Sequence, residues 1–471
     1  MERPRPTPQS RMAERIASRR DPVRRLLARG PGLVRKRPPV LELYYEPGDP
    51  HSHLCAQLLP SFTERIRAPI AVRLVGQSAP ADYPEPARQR AYALADAARV
   101  APARGLGFPA GAQVPSATAR AGAAAALREP AQSTTPILFS HREAEVTAEL
   151  FAGGEPPIGP DATGVDALLR ANARRRARLG HYLPAVWQFD GDWFWGVDRF
   201  VHLEARLREH DLLDGDAPLS ELHPDGAELA DPGAPLPPLK FFYSFRSPYS
   251  YLGLMKLRAF HARWPDEVEV HPVLPMAMRG IRVPRAKGFY TFRDVKREAD
   301  RQGVPFGRAA DPLGDGARRL LQVFPLASGT TAQLEFLAVA ARATWSQGVD
   351  VARDEGLRHV CENAGIPWDA ARDRIESGAG VAYAEANRLD LLDAGLWGVP
   401  GYRVGRSFTA WGQDRFWMLE ELLRRADAAQ PPREIVPRIQ SASFPVASAS
   451  WSPALDIASP ASRKYPRKRS E

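Results

Sequence analysis

Two short apolar runs organise this 471-residue chain. Val40-Leu-Glu-Leu-Tyr-Tyr45 is aliphatic and aromatic and reads as a strand; Lys240-Phe-Phe-Tyr-Ser-Phe245 reads as a second. Each runs through a proline-bearing turn into a helical stretch, so that Asp49-Pro-His-Ser-His-Leu54 lies on Ser247-Pro-Tyr-Ser-Tyr-Leu252 at an offset of 198. Further on, Trp195-Gly-Val-Asp-Arg-Phe200 lies on Trp411-Gly-Gln-Asp-Arg-Phe416 at an offset of 216. Each copy follows a proline and a strand, Leu183-Pro184 in one and Val399-Pro400 in the other, and precedes a leucine- and glutamate-bearing helix. Two matched motifs in the same order predict a tandem duplication, with the extra residues of the second copy in its middle.

Each half opens strand–turn–helix and closes proline–strand–turn–strand–helix around a helical middle. In the second half, Ala, Leu, Arg and Glu content with capping residues predicts helices over 294–302, 331–347, 350–365 and 369–377. The first-half middle reads as less regular, and the Ala/Gly/Pro-rich stretch 101–135 as a loop or poorly ordered insertion. The expected organisation is a basic disordered tail over 1–38, a first domain over 39–210, a Pro-rich linker over 211–238, a second domain over 239–430, and a disordered basic tail over 438–471.

At 44% hydrophobic and 25% charged residues the chain is ordinary globular material. Two cysteines exclude a disulfide scaffold and a Cys-rich zinc module. No apolar stretch is long enough for a membrane span, and the N-terminus lacks the apolar core of a secretory signal, so a cytoplasmic, reducing compartment is expected. The net charge of +9 dissolves when located. Residues 1–40 hold eleven Arg and Lys36 against Glu2, Glu14 and Asp21, and 463–471 hold five basic residues against Glu471, which leaves the body mildly acidic. A basic excess confined to tails argues against nucleic-acid binding by the folded body.

The turn after the second strand run carries the candidate chemistry. Ser247 stands where a strand enters a helix, with Ser250 three positions on, which is the spacing of a Cys-x-x-Cys pair with oxygen in place of sulfur. The protein has no thiol there, but a hydroxyl can donate a hydrogen bond to a bound thiolate and lower its pKa. On residue type alone Ser247 reads first as a helix N-cap, a common task for serine, and the motifs around it favour the catalytic reading.

The run Phe242–Gly253, with Lys287, Tyr290, Asp294 and Arg297, then Gly398-Val399-Pro400, then Trp411–Arg415, resembles in order the 2-hydroxychromene-2-carboxylate isomerases and kappa-class glutathione transferases, both DsbA-like thioredoxin-fold families. The resemblance spans nearly all of 240–425 and implies an α/β chain of two tandem DsbA-like thioredoxin-fold domains, each with a helical insertion. It implies glutathione as cofactor, with Ser247 as the catalytic hydroxyl on the glutathione sulfur. Val399, ahead of a cis-Pro400, would pair with the cysteinyl part, and Gln413 and Asp414 would hold the γ-glutamyl end. Lys287 would meet a carboxylate of glutathione or substrate. Tyr290 and Tyr249 would face an aromatic or electrophilic small-molecule substrate, although Tyr249 and Tyr251 also read as packing residues. Ser244 and Arg246 depart from the family pattern, as does Gly401, which leaves the substrate open.

The expected function is therefore a glutathione-dependent isomerase. Its rivals are a kappa-like transferase acting on electrophiles and a non-catalytic tandem thioredoxin-like binding protein. A dithiol oxidoreductase is disfavoured, since no Cys-x-x-Cys exists. The first half reads as a degenerate copy, because Asp49 replaces Ser247 and would repel a thiolate. Its Leu183-Pro184 suggests a retained cis-proline. No metal is expected, the alternative being a site of Asp49, His51 and His53. Cys55 reads as a buried structural cysteine, with a reactive thiol at a helix start as the alternative; Cys361 reads as core. The oligomeric state is left open.

Overall fold

The structure, a computed structural model, describes residues 39–77, 84–132, 136–154, 164–227, 229, 236–261, 268–281 and 283–428. The tails expected to be disordered lie outside these residues.

The first half contains β1 (Leu41–Tyr45), α1 (Pro50–Ala56), α2 (Leu59–Arg65), β2 (Ile70–Leu74), α3 (Pro86–Val100), α4 (Ala117–Ala126), α5 (Arg128–Gln132), α6 (Pro136–Phe151), α7 (Val165–Arg178), β3 (Val186–Phe189), β4 (Asp192–Trp195) and α8 (Phe200–Arg208). The second contains β5 (Leu239–Tyr243), α9 (Pro248–His261), β6 (Val268–Pro272), α10 (Arg285–Gln302), α11 (Asp315–Val323), α12 (Thr330–Arg342), α13 (Asp354–Asn363), α14 (Trp368–Arg374), α15 (Ala379–Asp393), β7 (Gly401–Val404), β8 (Phe408–Trp411) and α16 (Phe416–Ala428).

Each half builds one four-stranded sheet, in the orders β2-β1-β3-β4 and β6-β5-β7-β8. β1 and β5 are inner strands, each parallel to one neighbour and antiparallel to the other, and β3 and β7 are inner strands with antiparallel neighbours on both sides. A strand covered on both faces needs a nearly continuous apolar run, which is why β1 and β5 stood out in the sequence. The exception in β1 is Glu42, buried with its carboxylate on Arg73 at 2.8 Å and Arg175 at 3.1 Å. The registers match: Leu41 pairs with Ile70 as Leu239 pairs with Val268, each partner 198 positions on. The mixed α/β architecture with two sheets agrees with the expected fold class.

Four expectations change. The stretch 101–135 is not a loop throughout, because it holds α4 and α5. Ser116 caps α4 by accepting from Ala119 N at 2.9 Å, and alanine is the best helix former, so biased composition masked a helix. α10 begins at Arg285, nine residues before the expected start, which puts Lys287, Tyr290, Asp294 and Arg297 on one helix. α11 and α15 were not foreseen. Finally, among the described residues the cis peptide is Val399–Pro400; Leu183–Pro184 is not cis.

The hydrogen bonds explain that last difference. Gly412 N donates to Pro400 O at 2.8 Å, and Gly196 N donates to Ala185 O at 2.7 Å. The residue in the Pro400 position is therefore Ala185, with φ +52°, and Pro184 lies one step upstream. The loop from β3 to β4 is one residue shorter than that from β7 to β8.

The described part of the linker packs on both halves, with Arg425 of α16 donating to Ala227 O at 2.8 Å. Leu213 and Leu219 are buried, and Arg67 N donates to Leu212 O at 3.0 Å. Arg65 caps linker carbonyls, including Pro218 O at 2.8 Å.

Candidate active site

β5 ends at Tyr243, and the chain turns through Ser244–Ser247, closed by Ser247 N donating to Ser244 O at 2.9 Å. Ser247 Oγ then accepts from Ser250 N at 3.1 Å, so it caps α9. The hydroxyl is half-buried and lies 3.5 Å from Val399 O, too long for a firm hydrogen bond. Its proton is thus only loosely held, on the side facing the Val399–Pro400 peptide.

Two glycines permit this approach. A Cβ on Gly253 of α9 would sit 3.1 Å from Pro400 Cγ and collide with the Tyr402 hydroxyl. A Cβ on Gly398 would sit 2.7 Å from Trp411 Nε1. Around the same turn, the buried Ser244 Oγ, Ser250 Oγ and Trp411 Nε1 have no hydrogen-bond partner among the described residues. Unpaired buried polar atoms are costly, and three of them cluster at this turn. Ser247, Val399 and Pro400 thus come together as the sequence suggested.

The other expected residues form two further groups. Tyr249 donates from its hydroxyl to Asp294 Oδ2 at 2.7 Å. Asp294 and Asp414 both receive Arg199 of the first half: Nε donates to Asp294 at 2.8 and 2.9 Å, and Nη1 and Nη2 donate to Asp414 at 2.7 and 3.0 Å. Burial pushes the Asp294 carboxyl upward, but the Arg199 and Arg297 guanidiniums outweigh it and hold the group below its ordinary value. Burial dominates at Asp414, which is raised. Gln413 is buried, donates to Glu298 at 3.2 Å, and accepts from Gln302 Nε2 at 3.0 Å.

Lys287 and Tyr290 turn toward the first half. Lys287 lies 5.7 Å over the Tyr182 ring. Tyr290 is buried in an apolar cluster with Tyr44, Val186 and Trp193, its ring edge-on to His181 at 4.4 Å.

Arg199 was missed in the sequence, although a signal existed. The 198 offset places Asp96 on Asp294, and the 216 offset places Asp198-Arg199 on Asp414-Arg415. A residue shared by the two matched motifs invites the question of what it touches in the opposite half. In the first half, Asp49 caps α1 by accepting from Ser52 N at 2.7 Å, the same task as Ser247. His51 Nε2 lies 3.4 Å from Asp96, and His53 Nδ1 lies 2.8 Å from Glu143. The two histidines therefore serve different carboxylates, and among the described residues no cluster of His, Cys, Asp and Glu could hold a metal ion. Cys55 and Cys361 are buried, and burial pushes both thiols up, Cys361 to about 11. No helix among the described residues is long and apolar enough to cross a membrane.

A strand–turn–helix site facing a cis-proline, on a four-stranded mixed sheet with a helical insertion, defines a thioredoxin-like domain. Residues 238–424 match the family described as DSBA-like thioredoxin domain, and they form such a domain here. The 2-hydroxychromene-2-carboxylate isomerase of Sphingobium xenophagum is 27% identical over 197 residues, which is 39% of this chain and 97% of that protein. Among solved structures, a selenomethionine 2-hydroxychromene-2-carboxylate isomerase is similar at TM-score 0.36 and 21% identity, over 40% of this chain and 95% of that one. The cytosolic disulfide reductase DsbM from Pseudomonas aeruginosa with GSH is similar at TM-score 0.32 and 19% identity, over 40% and 99%.

Proposed function

We propose that the second half is a glutathione-dependent isomerase resembling 2-hydroxychromene-2-carboxylate isomerase, acting on a small aromatic substrate in the cytoplasm. We read the first half as a duplicated copy that completes it. The observation that carries this reading is the half-buried Ser247 hydroxyl, capping α9 with its proton loosely held toward Val399 O. The 27% identity to a named isomerase across 97% of its length supports it.

Bound glutathione supplies the thiol that adds to a conjugated double bond and is later eliminated. Ser247 donates its hydroxyl proton toward the sulfur and favours the thiolate. The Val399 backbone beside Pro400 pairs with the cysteinyl portion. Gln413 and Asp414 hold the γ-glutamyl end; Arg199 uses only part of the acceptor capacity of Asp414, because an ionised carboxylate offers about four lone-pair sites. Lys287 holds a carboxylate and Tyr249 stands on the substrate side, whereas Tyr290, buried among Tyr44, Val186 and Trp193, packs between the halves instead of facing substrate.

Ser247→Ala removes one charge-assisted hydrogen bond of roughly 1.5–3 kcal/mol, which slows turnover about 10–100-fold. It also raises the pKa of the bound thiol, read from thiolate ultraviolet absorbance. An unchanged absorbance titration in the variant rejects the role of Ser247, and failure of glutathione to bind in calorimetry rejects the whole reading. Turnover of a generic electrophile in place of a chromene carboxylate would move the assignment to a transferase.

A further inference from the structure

A cavity of about 460 Å³ lies in the first half, away from Ser247. It opens where β1 and β2 end, beside Glu46 and Val75–Gln77, the carboxyl ends of two parallel strands. That is where open α/β sheets bind ligands. Its apolar walls are Val75, Val165 and Leu169, with Ala124 and Ala125 of α4 opposite. The alanine-rich sequence of α4 creates the space, since side chains longer than methyl on that face would fill it.

Two polar side chains stand in the wall with uncommitted groups. Arg120 lays its stem over Gly48, whose missing Cβ would sit 3.0 Å from Arg120 Cγ. Its Nη1 donates to Pro115 O, and no carboxylate lies within 4 Å of its guanidinium among the described residues. Glu46 uses its backbone N–H on Ser52 Oγ, while its carboxyl has no hydrogen-bond or ion-pair partner among the described residues. A second, smaller cavity of about 60 Å³ shares Glu46, Gln77 and Arg120, so these three stand at the junction.

We propose that the first half is a second binding site for a small monocarboxylate with an apolar body, its carboxylate on Arg120 and Glu46 and its body against α4. The charges favour an anion over an amine. Arg90 of α3, Arg120 of α4 and Arg176 of α7 face Glu46, with Asp49 of its own turn as the acidic neighbour. Asp166 also lines the cavity but is exposed and lies 3.6 Å from Arg170. Burial, then Asp49, raises Glu46 to about 8 against the three arginines. At neutral pH Glu46 is therefore a carboxylic acid, able to donate its proton to a ligand oxygen while Arg120 donates beside it.

The test uses 2-naphthoate, its neutral amide and the corresponding naphthylmethylamine, titrated calorimetrically into the full-length protein. The naphthoate binds one to one, and Arg120→Gln weakens it at least tenfold with an unchanged melting temperature. Ala125→Phe, which fills the cavity without touching the charges, also abolishes binding. Ionisation of Glu46 weakens naphthoate about tenfold between pH 7 and pH 9, as a group titrating near 8 dictates. Glu46→Gln, permanently neutral and still a donor, removes that pH dependence. Equal binding of acid and amide, indifference to Arg120→Gln, or preference for the amine overturns the proposal.

Discussion

Arg199 and Arg415, 216 positions apart, each grip the aspartate that precedes the other. Arg199 donates to Asp414 at 2.7 and 3.0 Å, and Arg415 Nη1 donates to both oxygens of Asp198 at 2.9 Å. Each guanidinium also closes on a second aspartate of the opposite half: Arg199 on Asp294, and Arg415 on Asp96, 198 positions earlier. The tyrosines follow the same rule. Tyr290 enters the apolar cluster of Tyr44 and Trp193, and Tyr92 enters that of Trp397 and Phe242. Residue i meeting j while the equivalent of j meets the equivalent of i is the signature of a two-fold interface, here within one chain.

Removing one partner from such a buried pair is expensive because a charge is left without compensation. Arg199→Met leaves the fully buried Asp294 with only Arg297 as an ion-pair partner among the described residues and Asp414 with none, and is expected to cost about 3–5 kcal/mol. Arg415→Met should cost a similar amount through Asp96 and Asp198. A fall in urea midpoint at constant slope reads the loss. Adding Asp294→Asn to Arg199→Met should recover part of it; a single variant as stable as the parent would contradict the arrangement.

Gly253→Ala tests the packing behind Ser247. The added methyl meets Pro400 and the Tyr402 hydroxyl, so α9 and the Val399–Pro400 segment must separate. Overpacking of this kind costs about 1–3 kcal/mol. Glutathione affinity should fall with it, whereas Gly303→Ala at the end of α10, strained by its φ of +67° but with nothing within 4 Å of the added methyl, should lower stability and leave glutathione affinity unchanged.

His181 sets a limit on acid tolerance. It is buried between Trp193 and Tyr290, and its Nδ1 accepts from Leu183 N at 3.2 Å. Burial, reinforced by Arg176, depresses its pKa to about 3. As pH falls below about 6.5 the unfolded chain takes up this proton first, so stability declines toward pH 3 by up to about 1.4 kcal/mol per unit. His181→Phe should flatten that limb between pH 6.5 and 4, measured by denaturation at successive pH values. Equal acid limbs in variant and parent would remove His181 as the cause.

Both thiols should be silent in the native state. Cys55 and Cys361 are fully buried, and their raised pKa values keep them protonated at neutral pH. A thiol reagent should therefore modify neither until denaturant is added, when it should modify both. Rapid native labelling of Cys55 would restore the reactive-thiol reading.

The sequence announced what depends on local pattern. Strands β1 and β5 were readable because burial on both faces demands a nearly continuous apolar run, interrupted only by Glu42 and Lys240, and the Ser247 turn because a cap has a fixed spacing to Ser250. α4 was hidden by its own composition, since alanine-rich stretches look unstructured until Ser116 is recognised as a cap. Pro184 misled because residue identity was matched without the pairing register, which shifts Ala185 into the Pro400 position. The matched offsets flagged Arg199, but its partners stayed hidden for a different reason: Asp294 and Asp414 lie 95 and 215 positions away, and the tertiary arrangement brings them together.

In an assembly of two identical subunits every substitution appears twice, so a change that suits one cavity is imposed on the other. Joining both halves in one polypeptide lifts that constraint. Asp49 can stand where its counterpart is a serine, and a carboxyl can occupy position 46, while the reciprocal arginine clasps stay intact. The reciprocal clasps thus hold together two halves whose turns carry different charge.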